Sequence, residues 1–222
     1  MANTPYMNST ATQQATIPTH KVLKNTYMLL GLTLLFSAFT AFVAIVIGMG
    51  QMAAFGCMLG GFAMLFVVNK TADSGKGIGM IFIFTGLMGA SIGPMLSHYL
   101  SMANGPQIVF QALAGTALIF FTLSGYVLTT RKDFSFMGGF LMVGLVIAVI
   151  ASIANIFLGI PALSLAVSSA IVLIMSGLIL FDTSRIINGG ETNYIRATLS
   201  LYLNVFNIFV HLLSILGVMS DD

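Results

Sequence analysis

Titratable side chains are scarce in this chain, and the few inside apolar sequence are where chemistry could be done. Asp182 is the one acidic residue that belongs to a long apolar run. A carboxylate in a bilayer is costly, and such residues usually serve a function. Arg185 follows one helical turn on, and Asn204, Asn207 and His211 recur at helical spacing in the next apolar run. These five residues predict a polar, pH-sensing cluster. In it Asp182 is a protonatable group in a pocket with Asn204 or Asn207; the alternative is an Asp182–Arg185 ion pair at the membrane interface. His211 lies deeper, either as a hydrogen-bonded interior residue or as a proton relay or ligand. His20 and His98 have no partner in sequence.

Other chemistries lack their residues. No His-Glu-x-x-His pair offers a zinc site, and no Gly-x-Ser-x-Gly elbow presents a nucleophile. His211 and Ser214 share a helix face, but no third group orients the imidazole. An aspartyl intramembrane protease needs two facing carboxylates, and only Asp182 is available. A Schiff base needs a lysine inside a span, and every lysine flanks a span or lies in a loop. Gly75-Lys-Gly-Ile-Gly79 lacks the phosphate-loop spacing. The sequence therefore predicts no catalytic residue, no cofactor and no metal site.

The elements that position these residues follow from composition. Of 222 residues, 58% are hydrophobic and 6% charged, with mean hydropathy +1.02. Soluble domains carry about 25% charged residues. A net charge of +2 without a basic run argues against a nucleic-acid partner. The apolar residues come in runs of the length that a spanning helix needs, about 20 residues, rather than in alternation, which predicts an all-α bundle in the lipid bilayer and not a barrel. The runs are 26–48, 51–69, 78–100, 107–129, 136–158, 161–182 and 198–218, giving a seven-helix transmembrane domain over 21–220. Residues 1–20 are read as a flexible cytoplasmic tail, polar and without an apolar core, and not as a signal peptide. Cys57 stands in an apolar run as a small hydrophobe.

Orientation follows from the basic residues. All eight fall in the N-terminal tail or the second, fourth and sixth loops: Lys21, Lys24, Lys70, Lys76, Arg131, Lys132, Arg185 and Arg196. The positive-inside rule then places the N-terminus in the cytoplasm and the C-terminus in the periplasm. Small and polar residues mark faces that pack in lipid. The expected stripes are Thr26, Thr33, Ser37 and Thr40; Gln107, Gln111, Gly115, Thr122, Gly125 and Thr129; Ser164, Ser168 and Asp182; and Ser200, Asn204, Asn207, His211 and Ser214. They predict either interhelical hydrogen bonds or the lining of a hydrated cavity. Gly56 and Gly60 form one close-packing motif, Gly86, Gly89 and Gly93 another, and Pro94 predicts a kink in the third span.

Several longer stretches resemble the Bax inhibitor-1 family. They are Leu180-Phe-Asp-Thr-Ser184, Gly189-Gly-Glu-Thr-Asn-Tyr-Ile-Arg-Ala-Thr198, Ser200-Leu-Tyr-Leu-Asn-Val-Phe-Asn-Ile-Phe209 and Thr85-Gly-Leu-Met-Gly-Ala-Ser-Ile-Gly-Pro94, together with Gly115-Thr-Ala-Leu-Ile-Phe-Phe121. His20-Lys-Val-Leu-Lys-Asn-Thr-Tyr27 and Tyr126-Val-Leu-Thr-Thr-Arg-Lys-Asp133 are similar to its bacterial YccA-type branch, as are Ala154-Asn-Ile-Phe157 and Leu213-Ser-Ile-Leu-Gly217. The resemblance runs from about residue 20 to 218 and implies a seven-span bundle in the bacterial inner membrane. It also implies two activities. Some members are pH-sensitive calcium leaks, with two Asp on the last two spans and an Arg on the second. Asp182 matches the first Asp; Asn204 stands at the second, and the second span holds no Arg. One Asp opposite an Asn cannot share a proton as paired carboxylates do. The YccA-type branch instead implies a partner: FtsH, a membrane-anchored ATP-dependent protease that such proteins bind, restrain and are degraded by. A modulator of that kind needs no catalytic residue, and the polar tail would be the segment the protease engages.

Overall fold

The computed structural model describes residues 19–220, so the sequence before Thr19, and with it most of the expected tail, lies outside the described residues. A helix is the form in which an apolar segment satisfies every backbone group from within itself, as hydrocarbon demands. The chain runs α1 (Thr19–Val46), α2 (Gln51–Thr71), α3 (Gly77–Ser91), α4 (Gly93–Leu100), α5 (Gly105–Thr130), α6 (Gly138–Leu158), α7 (Pro161–Ile187) and α8 (Tyr194–Ser220), with a short 3-10 turn at Ser135–Met137. With α3 and α4 counted as one span and the 3-10 turn joined to α6, seven helical segments are long and apolar enough to cross a membrane.

The third span is broken at Ile92, which sits between α3 and α4 with φ −90° and ψ −1°. Pro94 falls in the first turn of α4, where a missing N–H leaves no helical hydrogen bond unmade. Other helices stop on left-handed residues: Gly159 closes α6 at φ 62°, its N–H bonded to the Asn155 carbonyl.

The last helix is the axis of the bundle. α8 packs against α1, α5 and α7, while α2 lies on α3 and α6 on α7 at the periphery. Buried residues recur around α8, among them Ile195, Thr198, Leu201, Tyr202, Asn204, Val205 and Ile208. Tyr202 is fully enclosed; its hydroxyl meets Ser37 Oγ at 2.7 Å and its ring stacks edge-on against Phe84. A buried phenol is tolerated when its hydroxyl finds such a partner.

Glycines bring α1 and α3 together. A Cβ on Gly89 would run into the Ser37 carbonyl and Thr40 Oγ1, one on Gly86 into Phe36, and one on Gly93 into Ala44. Gly56 faces open space and Gly60 touches only Leu87, so the expected motif on the second span makes no close approach; Gly61, against Met88, does. Of the expected polar stripe on the fourth span only the glycines are partly buried, Gly115 lying close to Leu212. Gln107, Gln111, Thr122 and Thr129 are exposed, whereas Ile108, Ala112, Thr116, Phe120, Ser124 and Val127 are buried. The α5 face against α7 and α8 is chosen by fit of small and apolar side chains, and polarity alone misplaces it. Most buried hydroxyls also bond within their own helix: Thr26 to the Val22 carbonyl, Thr33 to Leu30 and Thr116 to Ala112. The carbonyl one turn back is the nearest acceptor a helical Ser or Thr meets.

Candidate functional site: a buried carboxylate between the last two helices

Asp182 lies on α7 where α8 crosses it, and is 7% exposed. Ser200 and Asn204 stand one turn apart on the facing side of α8. Ser200 Oγ donates to Asp182 Oδ2 at 2.5 Å, and Asn204 Nδ2 donates to the same oxygen at 2.7 Å. The carboxylate is thus held by two neutral donors. Around it, Thr183 Oγ1 lies 3.4 Å from Ser124 Oγ on α5, and Ser184 Oγ accepts the Phe134 N–H at 3.1 Å.

The end of the bundle nearest Asp182 is tied shut by loops. Gly189 turns the chain at φ 77°, letting the N–H groups of Gly190 and Glu191 reach the Arg185 carbonyl. Arg185 Nη2 donates to the Gly190 carbonyl at 3.1 Å and lies 3.8 Å from Glu191 Oε2. Asn193 caps α8, its Oδ1 accepting the Ile195 N–H at 2.8 Å and the Arg196 N–H at 3.2 Å. Its Nδ2 reaches across to the Ala72 carbonyl and Asp73 Oδ1 in the α2–α3 loop, and Arg196 forms an ion pair with Asp73. Thr198 Oγ1 ties the start of α8 to the Thr26 carbonyl on α1. Through these contacts the basic loops gather at one end of the bundle.

Of the expected cluster, Asp182 and Asn204 come together and the rest do not join them. Among the described residues no Asp182–Arg185 ion pair forms: Glu191, folded back by the Gly189 turn, takes the guanidinium instead. Asn207 gives its Nδ2 to the Leu203 carbonyl of its own helix. His211 is two turns beyond Asn204, about 10 Å along the axis, and meets Ser168 Oγ at 3.2 Å. Gly86, Gly89, Gly93 and Pro94 belong to the α1–α3–α4 contact, away from the carboxylate. On sequence Ser200 belongs to the α8 stripe with no link to Asp182; its position one turn before Asn204 is the signal that it shares that face. The Asn193–Asp73–Arg196 tie was missed, although Asn193 before an apolar run carries a cap signature. No group of three or more His, Cys, Asp or Glu able to hold a metal occurs among the described residues.

Comparison with known proteins gives this geometry its context. A family model described as "Inhibitor of apoptosis-promoting Bax1" matches residues 19–221. "Modulator of FtsH protease YccA" of Escherichia coli K12 is 52% identical over 97% of this chain and 98% of its own. An "uncharacterized membrane protein" of Vibrio cholerae is 48% identical over 99% of both chains. An uncharacterized protein of Pseudomonas aeruginosa is 42% identical over 97% of this chain and 96% of its own.

Proposed function

The chain belongs to the Bax inhibitor-1 family, and from that premise we propose that it is a non-enzymatic modulator of a membrane-anchored, ATP-dependent protease of the FtsH type. In this reading it binds the protease, restrains it and is itself degraded by it. The observation that carries the reading is the 52% identity, over nearly the full length of both chains, to an Escherichia coli protein named for modulating FtsH and to one of a second strain named an inner membrane protein. The physical features of the bundle suit such a role. A central helix enclosed on several sides and loops cross-tied at one end resist being pulled apart. The polar sequence before Thr19 has no apolar run to anchor it, and with the basic loops in the cytoplasm it would lie where the protease works.

A second reading, a pH-sensitive calcium or proton leak, is favoured by one observation, the carboxylate enclosed at Asp182. Its donors argue the other way. Among the described residues both side chains hydrogen-bonded to Asp182, Ser200 and Asn204, are neutral, so no second carboxylate is bonded to it to share its proton.

The substrate half of the proposal is tested by pulse-chase in cells that contain the protease. Deleting residues 2–18 should lengthen the lifetime of the protein, and an unrelated polar sequence of equal length should restore turnover. Equal half-lives for full-length and truncated chains would contradict it.

A further inference from the structure

The fourth span turns a polar face outward. Along α5, Gln107, Gln111, Leu118, Thr122 and Gly125 recur at helical spacing and share one side of the helix. Gln107, Gln111, Leu118 and Thr122 are exposed, and Gly125 is half-buried with open space where a Cβ would stand. The helices that pack on α5, namely α4, α7 and α8, meet its other sides. α5 has 26 residues and is therefore about 39 Å long, so in a hydrocarbon layer about 30 Å thick each end stands about 5 Å outside. Gln111 lies six residues after Gly105, which sets it about 4 Å inside the hydrocarbon from one side. Thr122 lies eight residues before Thr130, about 7 Å inside from the other.

A polar group left without a partner in hydrocarbon is costly. Asn69 and Ser169, also exposed on their spans, avoid that cost within their own helices: Asn69 Nδ2 donates to the Leu65 carbonyl at 3.0 Å and Ser169 Oγ to the Leu165 carbonyl at 2.9 Å. The side chains of Gln107, Gln111 and Thr122 have no hydrogen bond among the described residues. The partner that this face lacks within the chain has to come from another helix in the bilayer. Two copies of this chain inserted by the same charge rule point the same way, so their α5 helices would cross in parallel about a two-fold axis, each residue near the axis meeting its own counterpart. Such a crossing demands a self-complementary surface. An amide carries both donors and an acceptor and a hydroxyl carries one of each kind, so Gln111 and Thr122 can each pair with themselves. No charged residue lies on the face to repel its copy, and Gly125 lets the two backbones approach closely.

We propose that this face of α5 is the interface of a homodimer, in which α5 of one copy crosses α5 of a second and the amides of Gln107 and Gln111 bond across the axis. The test uses full-length protein in proteoliposomes with Cys57→Ser, so that any added cysteine is the only one. Leu118→Cys lies on the face near the middle of α5, and Ile150→Cys lies on the exposed side of α6 at like depth. A disulfide needs Cα atoms within about 7 Å, so oxidation should link Leu118→Cys into a covalent dimer and leave Ile150→Cys monomeric. Diluting the protein with lipid before oxidation then measures how tightly the copies hold. Adding Gln107→Leu/Gln111→Leu should weaken the dimer by at least about tenfold, as loss of interhelical amide bonds from both copies does. Gln107→Asn/Gln111→Asn keeps the amides and should remain dimeric, and helical circular dichroism of each variant separates lost association from lost fold. Leu118→Cys that stays monomeric at every dilution, equal linking of Leu118→Cys and Ile150→Cys, or undiminished linking in the folded double leucine variant overturns the proposal. Linking of Leu118→Cys to a different chain in native membranes, with none to its own copy, gives the face to that chain and overturns the homodimer.

Discussion

At Asp182 the bundle buries a carboxylate and gives it two neutral donors from one face of α8. A single enclosed carboxylate has no second carboxylate to share a proton with; two within hydrogen-bond reach would share one and could hold a cation. Asn204→Asp places a second carboxylate where an amide now lies 2.7 Å from the first. In liposomes the wild-type calcium flux should be low and Asp182→Asn should leave it so, whereas Asn204→Asp should raise it and make it depend on pH. A large wild-type flux abolished by Asp182→Asn would show that the lone carboxylate conducts. Apolar sequence isolates Asp182 and offers Asn204, Asn207 or Arg185 as its partner; only the packing of α7 on α8 selects Asn204 and leaves Asn207 bonded within its own helix. The partner of Arg185 was not legible, because it depends on a turn at Gly189 that brings Glu191 back over the end of α7.

The elements divide into those read from hydropathy and those that depend on fit. Seven apolar helices follow from run length, since in lipid a long apolar segment has few alternatives. Which side of each helix packs is a matter of shape, and there polarity misled for α5 and the glycine spacing misled for α2. Gly89 and Gly56 make this measurable. Gly89→Ala forces a methyl into the Ser37 backbone and should cost about 1–3 kcal/mol, the usual penalty of overpacking. Gly56→Ala enters open space and should stay within about 0.5 kcal/mol of wild type. Unfolding in mixed micelles compares the two, and equal losses would contradict the α1–α3 contact described above.

As a whole, the chain is a multi-pass inner-membrane protein whose basic residues lie at the start of α1 and in or beside one alternate set of loops, the other set carrying none. Alkaline phosphatase fused after Lys132 should be inactive and the same enzyme fused after Asp222 active, as expected for an N-terminus in the cytoplasm and a C-terminus across the membrane. An active fusion after Lys132 would reverse that orientation. The sequence carried the family through long contiguous motifs, but the surface that meets a protease could not be read from it. Lipid-facing positions and partner-facing positions are both apolar, so hydropathy does not distinguish them. Modulation of the protease is the central claim, and it is measured most directly by turnover. An FtsH-type protease and an unrelated membrane substrate are reconstituted together in proteoliposomes, with and without this protein at equal amount. Degradation of the substrate should slow when the protein is present; unchanged degradation, with the protein folded in the same bilayer as the active protease, would contradict the account.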